Sequence, residues 1–268
     1  MQGIRLYMRF IGVYLKSKIE YDHIFVFMDL VLNSVWPVVN MVLLWIMLQR
    51  FGNLAGWDFD HLLFLYNLGY LPFLISGMII WNPTKDLQEL VRTGHFDSYL
   101  TRPLNPLAHL IMRQFSHGHL FGLVLSIGML VYSVNRLDLP VNAGSAVVFL
   151  SIVAGGALIY GAFMLFCGSL SFWFIKSESV YELVVYEIRS LIEFPLPIYN
   201  KVVQAVLLFF VPYAFINFIP AQGILFPDRS AWPPALQLTA TPILGAVLFA
   251  LAFAFFRIGI DRYQSTGN

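Results

Sequence analysis

Charge is scarce in this chain, and its scarcity excludes most soluble functions. Lys, Arg, Asp and Glu supply 12% of the 268 residues against 59% hydrophobic ones, and the mean hydropathy is +0.73. A soluble domain carries roughly 25% charged residues because its surface meets water. Cysteine is almost absent: Cys167 stands alone inside an apolar run, which excludes an intrachain disulfide and reads as a buried, inert thiol. No Gly-x-x-x-x-Gly-Lys-Ser/Thr occurs, so the chain has no loop of that kind to cradle a nucleotide's phosphates. His117 and His119 are the closest pair of histidines, but i, i+2 spacing puts them on different helix faces, so no metal site is expected. No acid or base falls in the middle of a predicted span, which argues against an ion-coupled carrier. Nothing suggests a nucleic-acid partner, and the net charge is only +1. Arg5, Arg9, Lys16, Lys18 and Glu20 interrupt any signal-peptide core.

What is present is a series of long charge-free runs. A helix needs about 20 apolar residues to cross the hydrocarbon of a bilayer. Six segments reach that length without a charge: Leu30–Leu48, Leu62–Trp81, Gln114–Asn135, Leu139–Ile175, Val202–Pro227 and Ser230–Phe256. The fourth exceeds one crossing, so its first residues belong to a loop. The fifth contains Pro212 and Pro220, with Asn217 and Gln222 beside the latter. These predict a span ending near Asn217, then an outer re-entrant or interfacial hairpin over 217–234. The expected fold is an all-α integral membrane protein of six transmembrane helices, forming one domain over 1–268. Trp57, Trp81, Trp173 and Trp232 fall near span ends, as an interfacial belt requires.

Basic residues set the orientation. Thirteen Lys and Arg fall in the N-terminal 23 residues, Asn82–Arg113, Lys176–Lys201 and the C-terminal tail, against three on the opposite side. The first set is therefore expected to be cytosolic, with both termini inside.

Three segments on that side have an amphipathic pattern. Residues 1–22 read as an interfacial helix, with Ile4, Met8, Ile11 and Leu15 on one face and Arg5, Arg9 and Lys16 on the other. In the loop 83–106, Pro83 starts a helix over Lys85–Arg92, Gly94 stops it, and a short turn Phe96–Leu100 ends at Arg102-Pro103. Leu87, Leu90 and Val91 form an apolar face, rimmed by Glu89, Arg92 and Asp97, that either docks a partner or lies back on the membrane. Ser177–Glu193 pairs an apolar face, Val180, Val184, Ile188 and Leu191, with Glu178, Glu182, Arg189 and Glu193, read as a solvated face. Gly118-x-x-x-Gly122 and Ala157-x-x-x-Gly161 permit close helix approach, within the chain or to another chain.

The run Arg92-Thr-Gly-His-Phe-Asp-Ser-Tyr-Leu-Thr-Arg-Pro103 resembles the G-x-hydrophobic-D…L-x-R-P segment of bacterial type-2 ABC exporter permeases. Phe194-Pro-x-Pro-Ile-Tyr and Phe218-Ile-Pro-Ala resemble further pieces of that pattern. The resemblance implies a transport subunit that is not itself an enzyme, sits in the bacterial inner membrane, and pairs with a same or different permease. ATP and Mg would sit on separate ABC ATPase subunits, with no cofactor on this chain. It also implies that the loop 83–106 is the coupling helix, with Gly94, Asp97, Leu100, Arg102 and Pro103 at the motif positions. A push there would rock spans one, two and five. An ion-coupled secondary transporter is the alternative.

Overall fold

The computed structural model describes residues 37–50, 52–116, 118–174, 177–229 and 232–264, together with Met28 and Val35. The N-terminal interfacial helix, with Arg5, Arg9 and Lys16, lies outside the described residues. All regular structure among the described residues is helical, apart from a single bridge between Leu54 and Trp57.

Helix α1, Pro37–Arg50, puts Met41, Leu44 and Leu48 against the protein at i, i+3, i+7 spacing and leaves Val38, Val42, Trp45 and Ile46 exposed. An apolar exposed face on such a helix fits lipid as its solvent. Helix α2, Phe59–Ser76, is the hub. It opens on a capping box between Asp58 and His61 and continues through a π turn, Gly77–Trp81, into Asn82–Lys85. Its most apolar window is 83% buried, against 22% for α6 (His119–Arg136) and for the last helix. The other helices therefore pack around α2, and Asn67 binds the Ser126 hydroxyl of α6 at 2.8 Å in its interior.

After α2 come three short helices, α3 (Leu87–Arg92), α4 (Asp97–Leu100) and α5 (Pro106–Arg113). Helix α7, Ala143–Ser169, follows α6 and starts at an Asn142 cap, so residues 139–142 are loop as expected. The last helix, α11, is Pro234–Arg262. Its crossing with α7 is the most extensive helix contact in the fold. It is possible because Gly155 and Gly245 meet there: a Cβ on Gly155 would stand 2.5 Å from Pro242 Cα, and one on Gly245 would strike the Gly155 carbonyl. Gly122 packs against Leu74 and Gly161 against Ser76, so both small-residue motifs serve packing within the chain.

Four of these helices are long and apolar enough to cross a membrane, and a bent pair makes a fifth, so six spans are not reached among the described residues. The bent pair corrects the fifth span. Lys201–Phe210 and Tyr213–Leu225 meet at 76°, so the break lies at Val211–Pro212 and not near Asn217. Pro212 lacks an N–H and interrupts the helix there, whereas Pro220 stands in the first turn of α10, Phe218–Leu225, where no intrahelical donor is needed. Trp57 is also corrected: it is buried against Phe218 and Phe226 instead of lying in a belt.

Gly155→Leu is expected to part α7 from α11 and cost more than about 2 kcal/mol. Gly128→Ala, with open space around it, should leave stability unchanged or slightly raised. Thermal unfolding in detergent, followed by size-exclusion fluorescence, separates the two.

Candidate coupling element and a buried charged pair

The segment from Asn82 to Arg113 folds into a compact cap on one end of the bundle. Gly94 ends α3 at φ +73°, a conformation that disfavours a side chain. The chain then reverses, and the Phe96 N–H reaches back to the Leu90 carbonyl at 3.0 Å. Asn105 caps α5 by accepting from the Leu107 and Ala108 N–H groups at 3.0 and 3.3 Å, with Pro106 in the first turn.

The reversal turns part of the expected docking face inward. Leu87 is 1% exposed and Phe96 0%, and they join Tyr99, Leu107 and Leu110 in a cluster with Leu165 of α7 and Phe256 of α11. Leu90 and Val91 are half-buried against the same cluster. The physical reason is length: α7 has 27 residues and α11 has 29, more than a crossing needs, so their ends project and cover the loop's apolar stripe. The apolar groups left exposed are Leu100 and Leu104, beside exposed Arg102 and Pro103. Glu89 and Arg92 are exposed and form a bidentate pair at 2.7 and 3.0 Å, worth under about 1 kcal/mol on an exposed face. Asp97 is half-buried beside Tyr263, where burial and this carboxylate push the phenol up to about 12.

His109 is buried in α5 next to the Tyr99 ring, at 4.8 Å between centroids. Burial lowers its pKa below the ordinary value, and Arg102 and Arg113 lower it further, so the imidazole is neutral at pH 7.

The second feature was missed by sequence reasoning. Ser177–Glu193 is solvated only in part. It runs as α8, Glu178–Glu182, a π turn Leu183–Glu187, then Ile188–Ser190 and Leu191–Glu193. Glu178 and Glu182 are exposed as expected, but Arg189 and Glu193 turn inward, and Tyr181, Val185, Arg189 and Ile192 form the buried stripe, while Val180 of the apolar set is exposed. Arg189 is 8% exposed, lies 4.5 Å over the Phe73 ring, and pairs with Glu193 at 3.3 Å. Phe73 stands about 21 Å along α2 from Phe59 and about 18 Å from Lys85, the middle of that rod. The charged pair therefore packs against the middle of the α2 rod. The signal in the sequence was the i, i+4 spacing of Arg189 and Glu193 followed by Pro195 and Pro197.

The hairpin residues are likewise internal. Asn217 is buried and donates to the Ile192 and Leu65 carbonyls at 2.7 and 3.3 Å, Pro220 is buried, and Gln222 is half-buried. At the other end of the segment, Gln88 Oε1 accepts from Ser177 N–H and Oγ at 3.0 and 3.1 Å, and the Tyr181 and Thr84 hydroxyls meet at 3.2 Å. A crevice of about 590 Å³ opens here, lined by Asp86, Glu89, Glu178, Glu182 and Glu187 with Lys85.

Long apolar helices with lipid-suited exposed faces, gathered beside a buried central one, define a multi-pass membrane protein. Residues 34–267 match the family described as ABC-2 family transporter protein, so the chain belongs to that family, the membrane permease component of ABC transporters. No curated protein and no solved structure matches it.

Phe96→Ala is expected to cost about 3–5 kcal/mol by emptying the shared cluster, whereas Arg102→Ala should fall within about 0.5 kcal/mol of the parent. As pH falls, the unfolded chain protonates a histidine before folded His109 does. The His109 contribution is therefore full above about pH 6.5 and declines below it. Unfolding midpoints between pH 7.5 and 5.5 should fall less in His109→Phe than in the parent.

Proposed function

We propose that this chain is the membrane-spanning permease subunit of an ATP-binding-cassette exporter in a bacterial inner membrane. It forms the pathway together with a second permease, same or different, and separate ATPase subunits carry the ATP and Mg. Family membership and the missing phosphate-binding motif support the division of labour. The excess of Lys and Arg, which survives the removal of buried Arg189 from the loops, supports a cytosolic position for Asn82–Arg113 and both termini.

The observation that carries the reading is the build of Leu87–Arg113. Its inner side is fused to α7 and α11 through Leu87 and Phe96, while Leu100, Arg102, Pro103 and Leu104 stand outward at its tip. An anchored base with an exposed apolar and basic tip suits a part that receives a mechanical load. Closure of the ATPase pair pushes on this tip. The load enters α7 and α11 first, through the shared cluster, and α2 through its unbroken continuation into Lys85. The expected rocking of spans one, two and five would then be driven through α7 and α11, which pack directly behind the loop, as well as through α2. Such a switch requires two arrangements whose balance nucleotide binding shifts.

Purification from the native host should recover a soluble ATPase with the chain. Asp97→Ala combined with Arg102→Ala should lower the recovered hydrolysis at least about fivefold while the permease itself remains folded. A cysteine at Ser98 should resist an impermeant maleimide on intact cells. Labelling there, or transport driven by an ion gradient with no ATP, would overturn the proposal.

A further inference from the structure

We propose that Arg189 and Glu193 are the positioning pair of the transport cycle: they lock the segment Ser177–Glu193 against α2 in the conformation seen here, and they part when the coupling element moves. The inference rests on the permease reading and adds to it the internal contact that the load must break.

Four observations converge on this pair. First, adhesion does not require it. A buried ion pair replaced by apolar side chains of similar volume is commonly neutral or more stable, because desolvating two charges offsets their attraction. In a setting as apolar as this one, such groups call for a role beyond packing.

Second, the pair is incompletely satisfied. Among the described residues Arg189 Nε has no hydrogen-bond partner, and neither does the Tyr213 hydroxyl in the same aromatic cluster, although both are buried. Tyr213 stacks 5.1 Å from Tyr160, which lies 5.6 Å from the Phe73 ring beneath the guanidinium. A polar network made purely for structure closes its hydrogen bonds; a half-closed one leaves the present arrangement only slightly favoured over another.

Third, the pair is flanked by joints. The π turn Leu183–Glu187 lies on one side and Pro195 and Pro197 on the other. That π turn faces the matching one in the α2 rod, Gly77–Trp81, through Trp81 and Tyr186 at 4.9 Å. Wide helical turns recur where helices bend in function.

Fourth, the far end of the segment is tied to the coupling element through Gln88 with Ser177 and Thr84 with Tyr181. A displacement of α3 therefore reaches Arg189 along one short helical rod.

The test uses the permease with its ATPase in nanodiscs, and reads amide hydrogen exchange over 181–194 with and without ATP and vanadate. In the parent, nucleotide should speed exchange there about tenfold. The double variant Arg189→Met, Glu193→Leu keeps the volume and removes both charges. It should fold with an equal or higher melting temperature and hydrolyse ATP within about twofold of the parent, yet lose the nucleotide response. If it keeps the parent's response, the pair is packing and the proposal is overturned. Should the double variant fail to reach the membrane, Glu193→Gln decides: a weakened lock raises exchange without nucleotide, and unchanged exchange overturns the idea. If the parent binds no ATPase, the permease reading fails by itself. The isolated permease then still reports on the lock through Glu193→Gln, since faster exchange over 181–194 than in the parent supports it and equal or slower exchange rejects it.

Discussion

The contact between Arg189, Glu193 and the face of Phe73 joins Ser177–Glu193 to the middle of α2, at the centre of the bundle. A guanidinium keeps its charge in any surroundings, and in an apolar interior it must find its counter-charge and its aromatic partner inside the chain. Satisfying it there draws Ser177–Glu193 inward beside α2. The carbonyl of Ile192 then lies where Asn217 can bind it, and Asn217 in turn spans to Leu65 of α2. Asn217 thereby ties the chain after Pro195 to both the segment and α2, while the bent pair breaks at Val211 and Pro212.

At the opposite end the governing quantity is helix length. Helices α7 and α11 are longer than a crossing needs, and Leu165 and Phe256, near their C-terminal ends, join the loop's apolar cluster. A loop of three short helices, none long enough to be stable alone, gains a core from those ends. The loop is therefore stiff for the same reason that it is ordered: its apolar stripe is covered by α7 and α11. Its exposed remainder, Leu100 to Leu104, is free of that duty.

Much of the architecture was legible because hydrocarbon imposes a strict rule on composition: a crossing helix must be long and nearly charge-free. The runs around α2, α6, α7 and α11 are therefore visible as plain text. Gly94 as a helix stop and residues 139–142 as loop follow from equally local chemistry. The docking stripe was half legible. Periodicity shows that Leu87, Leu90 and Val91 share a face, but it does not say whether that face is covered by the chain itself, and α7 and α11 cover it. Ser177–Glu193 was half legible as well. The rule that places charge outward holds for Glu178, Glu182 and Glu187, which are exposed, and fails at Arg189 and Glu193, which pack inward beside α2.

By itself the sequence determined that the chain is helical, crosses a membrane several times and lacks the phosphate-binding motif, since each of these follows from which side chains are present and how far apart they stand. The tertiary structure alone decided which way Leu87 and Phe96 point, where the bent pair breaks, and that Arg189 lies buried on Phe73. Those depend on what stands opposite a side chain in space, and in a bundle the facing residue is separated by a hundred positions or more in the chain.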